Sequence, residues 1–404
     1  MKSPYRILPR LVCRALLCLL AAPAWAQPPS MAEALDAAWA RSLEAAESRG
    51  QMGVAKAERQ VAAAWLAGAP ALELSQRQGR GAAADGARET EVGLLLPLWR
   101  PGQRQLGTQA AQVEQDWANA SERAAKLRLL GQLRELSGAL RAAQAELRQS
   151  EQQAQALQQL SLDVARRVQA GDLAPADALA AKAEWLAARA LSVQAGQALL
   201  AQRSSWQLLT GLAEEAAPER AAVSLPEDEH PALRLAALSV ERARQRVALG
   251  RAQRGGAPEL GLSLRQERPG QGQPAQNSVG LSLRMPLGSE PPQQTQQLAA
   301  ALAEEQLAVA TAQRSRLQLE AEQALAQASL HSVAAQAAAE RERAGLLRER
   351  ALLLDQSFKL GETALPDLLR ALSASAQAEA AAQTQEAAHQ LAQARHQQSY
   401  GIFP

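Results

Sequence analysis

The chain has 404 residues, 43 Lys and Arg against 41 Asp and Glu, 47% apolar residues but only 3% aromatic, with 25 Gly and 20 Pro. That is too little aromatic material for an ordinary globular core, whereas an Ala- and Leu-rich apolar share interspersed with Gln, Glu and Arg suits long helices in side-by-side contact. Lys2, Arg6, Arg10 and Arg14 all fall at the N-terminus, so the rest of the chain is slightly acidic, which argues against nucleic acid as a partner.

The N-terminal segment has the form of a secretory leader. A basic stretch runs to Arg14, an apolar run follows from Ala15 to Ala22, and Ala24-Trp25-Ala26 supplies the small residues of a cleavage site, which predicts a signal peptide over 1–26 and a mature chain from Gln27. Cys13 and Cys18 both lie inside it, so neither a disulfide nor a thiolate metal site is expected after export. Leu16 and Leu17 are not the small residues that precede a lipid-modified cysteine, and no lipid is expected at Cys18. No later stretch reaches about eighteen uninterrupted apolar residues, so a membrane would have to be crossed with strands.

The rest of the chain is duplicated. The segment from Val168 through Gly171, Asp172 and Asp177 aligns without a gap on the segment from Phe358 through Gly361, Glu362 and Asp367. Upstream, Ala69-Pro70-Ala71-Leu72-Glu73-Leu74-Ser75 resembles Ala257-Pro258-Glu259-Leu260-Gly261-Leu262-Ser263. This divides the chain into a first repeat over 27–212, a linker over 213–230 and a second repeat over 231–404. Within the linker, Glu227-Asp228-Glu229 is a solvated acidic run leading into a helix with Pro231 at its first position.

Each repeat reads in the same order. Ala-rich helices are predicted over about 31–68 and 231–254. Strict alternation follows: Leu72 and Leu74 with Glu73 and Ser75, Leu260, Leu262 and Leu264 with Gly261, Ser263 and Arg265, and Val279, Leu281, Leu283 and Met285 with Gly280, Ser282 and Arg284, while Val92-Gly93-Leu94 resembles Val279-Gly280-Leu281. These are amphipathic strands, joined by Gly-, Ala-, Pro- and Gln-rich hairpin loops at Gly79 to Arg88 and Pro269 to Asn277. After Pro97 and Pro286 come about seventy residues in each repeat with almost no helix breaker, ending at Gly171 and Gly361, long enough for helices of roughly 105 Å. A shorter helix then returns, to Thr210 and to Tyr400. Two shorter helices end to end can thus match one long one.

Four amphipathic strands cannot close a barrel, and an open edge in lipid strands backbone groups at several kcal/mol each. Oligomerisation follows. Two protomers would give eight strands and an interior filled by side chains, three would give twelve and leave a polar pore. The polar faces at Ser263, Arg265, Ser282 and Arg284 suit a wet lumen.

The leader, the duplicated plan, the Gly171/Asp177 and Gly361/Asp367 turns, and His230-Pro231-Ala232-Leu233 opening the second repeat resemble a TolC-type outer-membrane efflux factor. His230-Pro231-Ala232-Leu233, the Pro258 to Leu264 strand and Trp99-Arg100-Pro101-Gly102-Gln103-Arg104 are most similar to the subgroup that serves heavy-metal efflux pumps. The resemblance implies a mainly α fold with a small β part. Long antiparallel helical hairpins and four strands per protomer would form a trimeric 12-stranded β-barrel in the outer membrane and an α-helical tunnel through the periplasm. The implied partners are two further protomers, outer-membrane lipid, a periplasmic adaptor of the membrane-fusion type and an inner-membrane pump of the RND type. The implied function is passive export of small toxic compounds or metal cations.

The two helix-to-helix turns lie farthest from the strands. We expect them to contact the adaptor, through Val168, Gly171 and Leu173 in one and Phe358, Gly361 and Thr363 in the other. Asp172 and Glu362 are equivalent under the duplication, and a trimer would place six such carboxylates around the periplasmic mouth as a cation-favouring ring. Asp177 and Asp367 fall in first helical turns, where a carboxylate favours the helix dipole. Catalysis finds no candidate: His230, His331, His389 and His396 lack a paired ligand motif, and no nucleophile elbow or phosphate loop occurs. No cofactor and no resident metal are expected. A periplasmic coiled-coil adaptor or scaffold would account for the helices but not for two hairpins in duplicate.

Overall fold

The computed structural model describes residues 28–79, 87–219, 230–253, 257–269, 274–286 and 292–404. The leader, the cluster Glu227-Asp228-Glu229 and residues 80–86 and 270–273 of the hairpin loops lie outside the described residues.

Where one initial helix is expected, there are two, α1 (Met31–Arg41) and α2 (Leu43–Ala63). Ser30 and Glu33 close a capping box at the start of α1. The break falls at Ser42, whose extended backbone and hydroxyl, accepting from the Ala45 amide at 3.1 Å, make it the N-cap of α2. A serine able to satisfy a backbone donor itself competes with helix continuation.

The hairpin β1 (Ala71–Gln78) and β2 (Arg88–Pro97) leads to α3 (Gln103–Ala170), a 68-residue helix of about 102 Å. The return helix α4 (Pro175–Thr210) ends at Gly211 in the left-handed conformation. The first residues of the linker between the repeats pack on the helices: Ala216 is buried in the core, and Glu215 and Glu219 pair with Arg141 and Arg134 of α3. In the second repeat, α5 (Pro231–Ala252), β3 (Glu259–Arg268), β4 (Gln276–Arg284), α6 (Pro292–Lys359) and α7 (Leu365–Ser399) repeat the order, and α6 again has 68 residues.

The strands form one antiparallel sheet in the order β1-β2-β3-β4, with the two repeats joined between β2 and β3. Its register gathers Leu72, Leu94, Leu262 and Leu281 into one cross-strand row and Leu74, Val92, Leu264 and Val279 into the next. All these apolar side chains are exposed. The other face carries Ser75, Glu91, Arg265 and Ser278 across the same sheet.

Below the sheet the helices make one layer. α3 packs on α2 and α4 on one side and on α5 and α7 on the other, while α6 packs on α5 and α7. Buried residues on α6 fall at Ala337, Ala344, Ala351 and Phe358, and on α4 at Ala181, Ala188 and Ala195. Spacing by seven is the coiled-coil period, and alanine on the seam lets the helices approach closely.

Two cores hold the layer. The larger, at mid-length, joins Met31, Leu35, Leu130, Leu133, Leu199 and Trp206. Here His230 caps α5, its Nδ1 accepting from the Ala232 amide at 3.3 Å, and burial lowers its pKa. The smaller core lies at the end remote from the sheet.

Candidate functional site

The two turns at that remote end have one geometry. The Gly171 amide donates to the Val168 carbonyl at 3.1 Å and the Asp172 amide to the Arg167 carbonyl at 2.9 Å. Gly361 and Glu362 do the same to Phe358 at 3.0 Å and to Ser357 at 2.9 Å. This is the Schellman closure, and it requires a left-handed residue, supplied by Gly171 at φ 88° and Gly361 at φ 80°. No neighbouring atom crowds either glycine, so only the backbone conformation demands it.

The expected contact residues divide between surface and interior. Gly171, Asp172, Gly361 and Glu362 are exposed, and Val168, Leu173 and Thr363 are half-buried. Phe358 is different: at 3% exposure it sits with Val164, Ala181, Leu365 and Leu368 in the smaller core, and Val168 and Leu173 pack against it. Arg167 stacks over the Phe358 ring at 5.1 Å and donates to its carbonyl at 3.4 Å. The Phe358 ring therefore clamps one turn to the other within the protomer, leaving the polar backbone of each turn outward.

The two carboxylates are held differently. Glu362 accepts from Ser357 Oγ at 3.4 Å, and Thr363 Oγ1 donates to the same hydroxyl at 2.7 Å. Asp172 has no side-chain partner among the described residues. Asp177 caps α4, accepting from the Ala174 amide at 3.2 Å, and Asp367 pairs with Arg370 at 2.8 Å. Further up, Glu379 of α7 receives Arg348 Nε from α6 at 2.7 Å and Gln149 Nε2 from α3 at 2.8 Å. Burial pushes its pKa up, but these hydrogen bonds outweigh it and hold the carboxyl below the usual range.

Sequence reading missed the edges of the layer. On α4, Leu179, Leu186, Val193 and Leu200 are spaced by seven and 47 to 72% exposed. Leu346 and Leu353 on α6, and Leu360 just past its last residue, repeat that spacing and are also exposed. Leu179 is two residues from buried Ala181, about 200° around the helix, so α4 is apolar on two opposite faces and has a neighbour on one. Among the described residues the sheet has matching open edges: β1 pairs only with β2, and β4 only with β3.

Among the described residues no cluster of His, Cys, Asp or Glu is arranged to hold a metal ion. His389 lies 3.3 Å from Gln393, and His396 stacks on Tyr400. No described helix is long and apolar enough to cross a membrane.

No family model and no curated protein sequence matches the chain. Solved structures do. The outer membrane protein VceC from Vibrio cholerae superposes with a TM-score of 0.73 at 16% identity, over 92% of this chain and 96% of that one. The CmeC outer membrane channel of Campylobacter jejuni gives 0.72 at 13% identity, over 92% and 85%. The open state of the MtrE outer membrane channel of Neisseria gonorrhoeae gives 0.68 at 16% identity, over 92% and 89%. Superposition over 92% of the chain at these TM-scores gives it the fold of the TolC-type outer-membrane channels.

Proposed function

We propose that the chain is one protomer of a trimeric outer-membrane channel, the exit conduit of a tripartite efflux system. The observation that carries this reading is the coincidence of two kinds of open edge in one protomer. The sheet has an apolar outer face and edge strands β1 and β4 each open on one side, and the helical layer has heptad apolar stripes along α4 and α6. One rotation that brings β4 of each protomer to β1 of the next also brings α6 to α4. Three copies give twelve strands, enough for a water-filled lumen lined by the Ser, Glu and Arg face. The passage is passive, carrying small toxic compounds or metal cations, with the energy supplied by an inner-membrane pump of the RND type through a periplasmic adaptor. Recovery of heat-modifiable trimers from the outer-membrane fraction tests the reading, and a soluble periplasmic monomer would replace it with a coiled-coil scaffold.

The adaptor contact is assigned to the exposed backbone of the turns around Gly171 and Gly361. A β-branched residue at φ near +80° to +90° costs roughly 1–2 kcal/mol and unwinds a Schellman turn. Gly171→Val with Gly361→Val is therefore expected to lower adaptor capture at least several-fold in a pull-down, with trimers preserved. Undiminished capture by that variant would place the contact elsewhere.

For the mouth of the tunnel, the reading assigns a cation-favouring ring to Asp172 and Glu362. Asp172→Asn with Glu362→Gln is expected to reduce cation preference in planar-bilayer conductance. Because Glu362 is held by Ser357 and Asp172 is not, Asp172→Asn alone is expected to produce the larger share of the change. Equal selectivity in wild type and double variant would remove both residues from the conducting path.

A further inference from the structure

The described strands carry five arginines, and the sheet treats them in two ways. Arg77, Arg265 and Arg284 lie on the polar face, and each meets a carboxylate: Arg77 and Arg265 reach Glu89 at 3.7 and 3.0 Å, and Arg284 reaches Glu259 at 3.3 Å. Arg88 and Arg268 lie on the leucine face. They are direct cross-strand partners in the β2–β3 register, both are exposed, and neither has a carboxylate partner among the described residues. Like charges placed opposite one another destabilise a sheet. A sheet that pairs every inward arginine leaves this outward pair to repel.

Position indicates what relieves the repulsion. The two arginines sit at the hairpin end, away from the helices, in the fourth outward position above the Leu96–Leu260 pair. From the middle apolar row at Leu94 and Leu262, Arg88 and Arg268 lie about 20 Å along the strands, or about 15 Å along the membrane normal at a tilt of about 40°. Half the hydrocarbon thickness is about 12–15 Å, so the guanidinium groups fall at the headgroup level of the outer leaflet. Polar Thr90, Gln266 and Asn277 fill the row between. The opposite rim is built differently, with Trp65 exposed and Trp99 donating to the Ala64 carbonyl. That is an aromatic boundary on the helix side and a cationic one on the hairpin side.

Resting on the outer-membrane channel reading, we infer that Arg88 and Arg268 form a binding site for the phosphate groups of an anionic lipid in the outer leaflet. A phosphate between two guanidinium groups accepts fork-geometry hydrogen bonds from both and converts their repulsion into attraction. A trimer carries three such sites around the barrel rim.

The test uses full-length trimers in neutral detergent, with native mass spectrometry counting bound molecules of a diphosphorylated saccharolipid and of its dephosphorylated form. The wild type is expected to retain the phosphorylated lipid preferentially, and Arg88→Gln with Arg268→Gln is expected to lower that retention about tenfold. Arg265→Gln, which removes an arginine from the other face, is expected to leave retention unchanged. Equal retention of both lipids, equal retention by the double variant, equal loss in Arg265→Gln, or complete displacement by inorganic phosphate would each overturn the inference. Heat-modifiable trimer recovery from the outer membrane is scored in the same preparations. Trimers without phosphate preference sink the lipid site alone, whereas absence from the outer membrane sinks the channel reading and this site with it.

Discussion

Leu186→Glu combined with Val193→Glu is expected to abolish trimers while leaving the protomer helical. Both side chains lie on the exposed stripe of α4, and neither contributes to the seam of Ala181, Ala188 and Ala195 through which α4 packs on α3. Burying a Leu or Val side chain contributes about 1.5–3 kcal/mol, so a stripe of four opposite Leu346, Leu353 and Leu360 supplies much of each contact between protomers. A carboxylate in that seam loses the apolar contribution and adds an unpaired buried charge, and the defect occurs at three interfaces in a closed ring. Leu191→Glu is the control, since Leu191 is 55% exposed but off the heptad register. Loss of heat-modifiable trimers with unchanged helical circular dichroism is the expected result for the stripe variant, and retention of trimers for the control. Trimers of normal yield in the stripe variant would disconnect α4 from the assembly.

Much of the fold was legible because the long elements follow from what the sequence lacks. Between Pro101 and Gly171, and between Pro292 and Gly361, no proline interrupts the run, and α3 and α6 fill these intervals. Alternation about Glu73, Ser263 and Gly280 placed three strands and the face they present, and the match of Val92-Gly93-Leu94 to Val279-Gly280-Leu281 placed the fourth. What stayed hidden depended on contacts between distant positions. The ring of Phe358 sits in a turn and reads as exposed, but Arg167, 191 positions away in sequence, closes over it. The segment after Gly211 reads as linker, yet Glu215 and Glu219 find arginines 74 and 85 positions earlier. The stripes on α4 and α6 have a periodic signal of their own, masked because alanines at the same period occupy the opposite face and make each helix look uniformly apolar.

The same hidden contacts fix where the protomer is most vulnerable, at Arg134 on α3. Its side chain is 3% exposed, and it gathers three chain segments: Nε donates to Glu219 at 2.9 Å, one terminal nitrogen to Gln398 at 2.7 Å and the other to the Ile402 carbonyl at 3.0 Å. Gln398 in turn donates to the Leu127 carbonyl at 2.7 Å, tying α7 back to α3 about two turns above. Arg134→Met keeps most of the packing volume and removes all three donors. The Glu219 carboxylate, with its side chain 11% exposed, is then left without its cation, and breaking a pair of this kind by deleting one partner costs about 3–5 kcal/mol. We expect hydrogen exchange to rise in two separate places, 211–219 and 396–403, because Arg134 is their common anchor. Adding Glu219→Leu should recover part of the lost stability, since the largest component of the cost is the stranded carboxylate rather than the missing guanidinium. If the double variant proves no more stable than Arg134→Met, or if exchange rises in only one of the two segments, Arg134 is not the shared clamp, and the joint between the repeats must be held by the apolar core around Leu130, Leu133 and Trp206 alone.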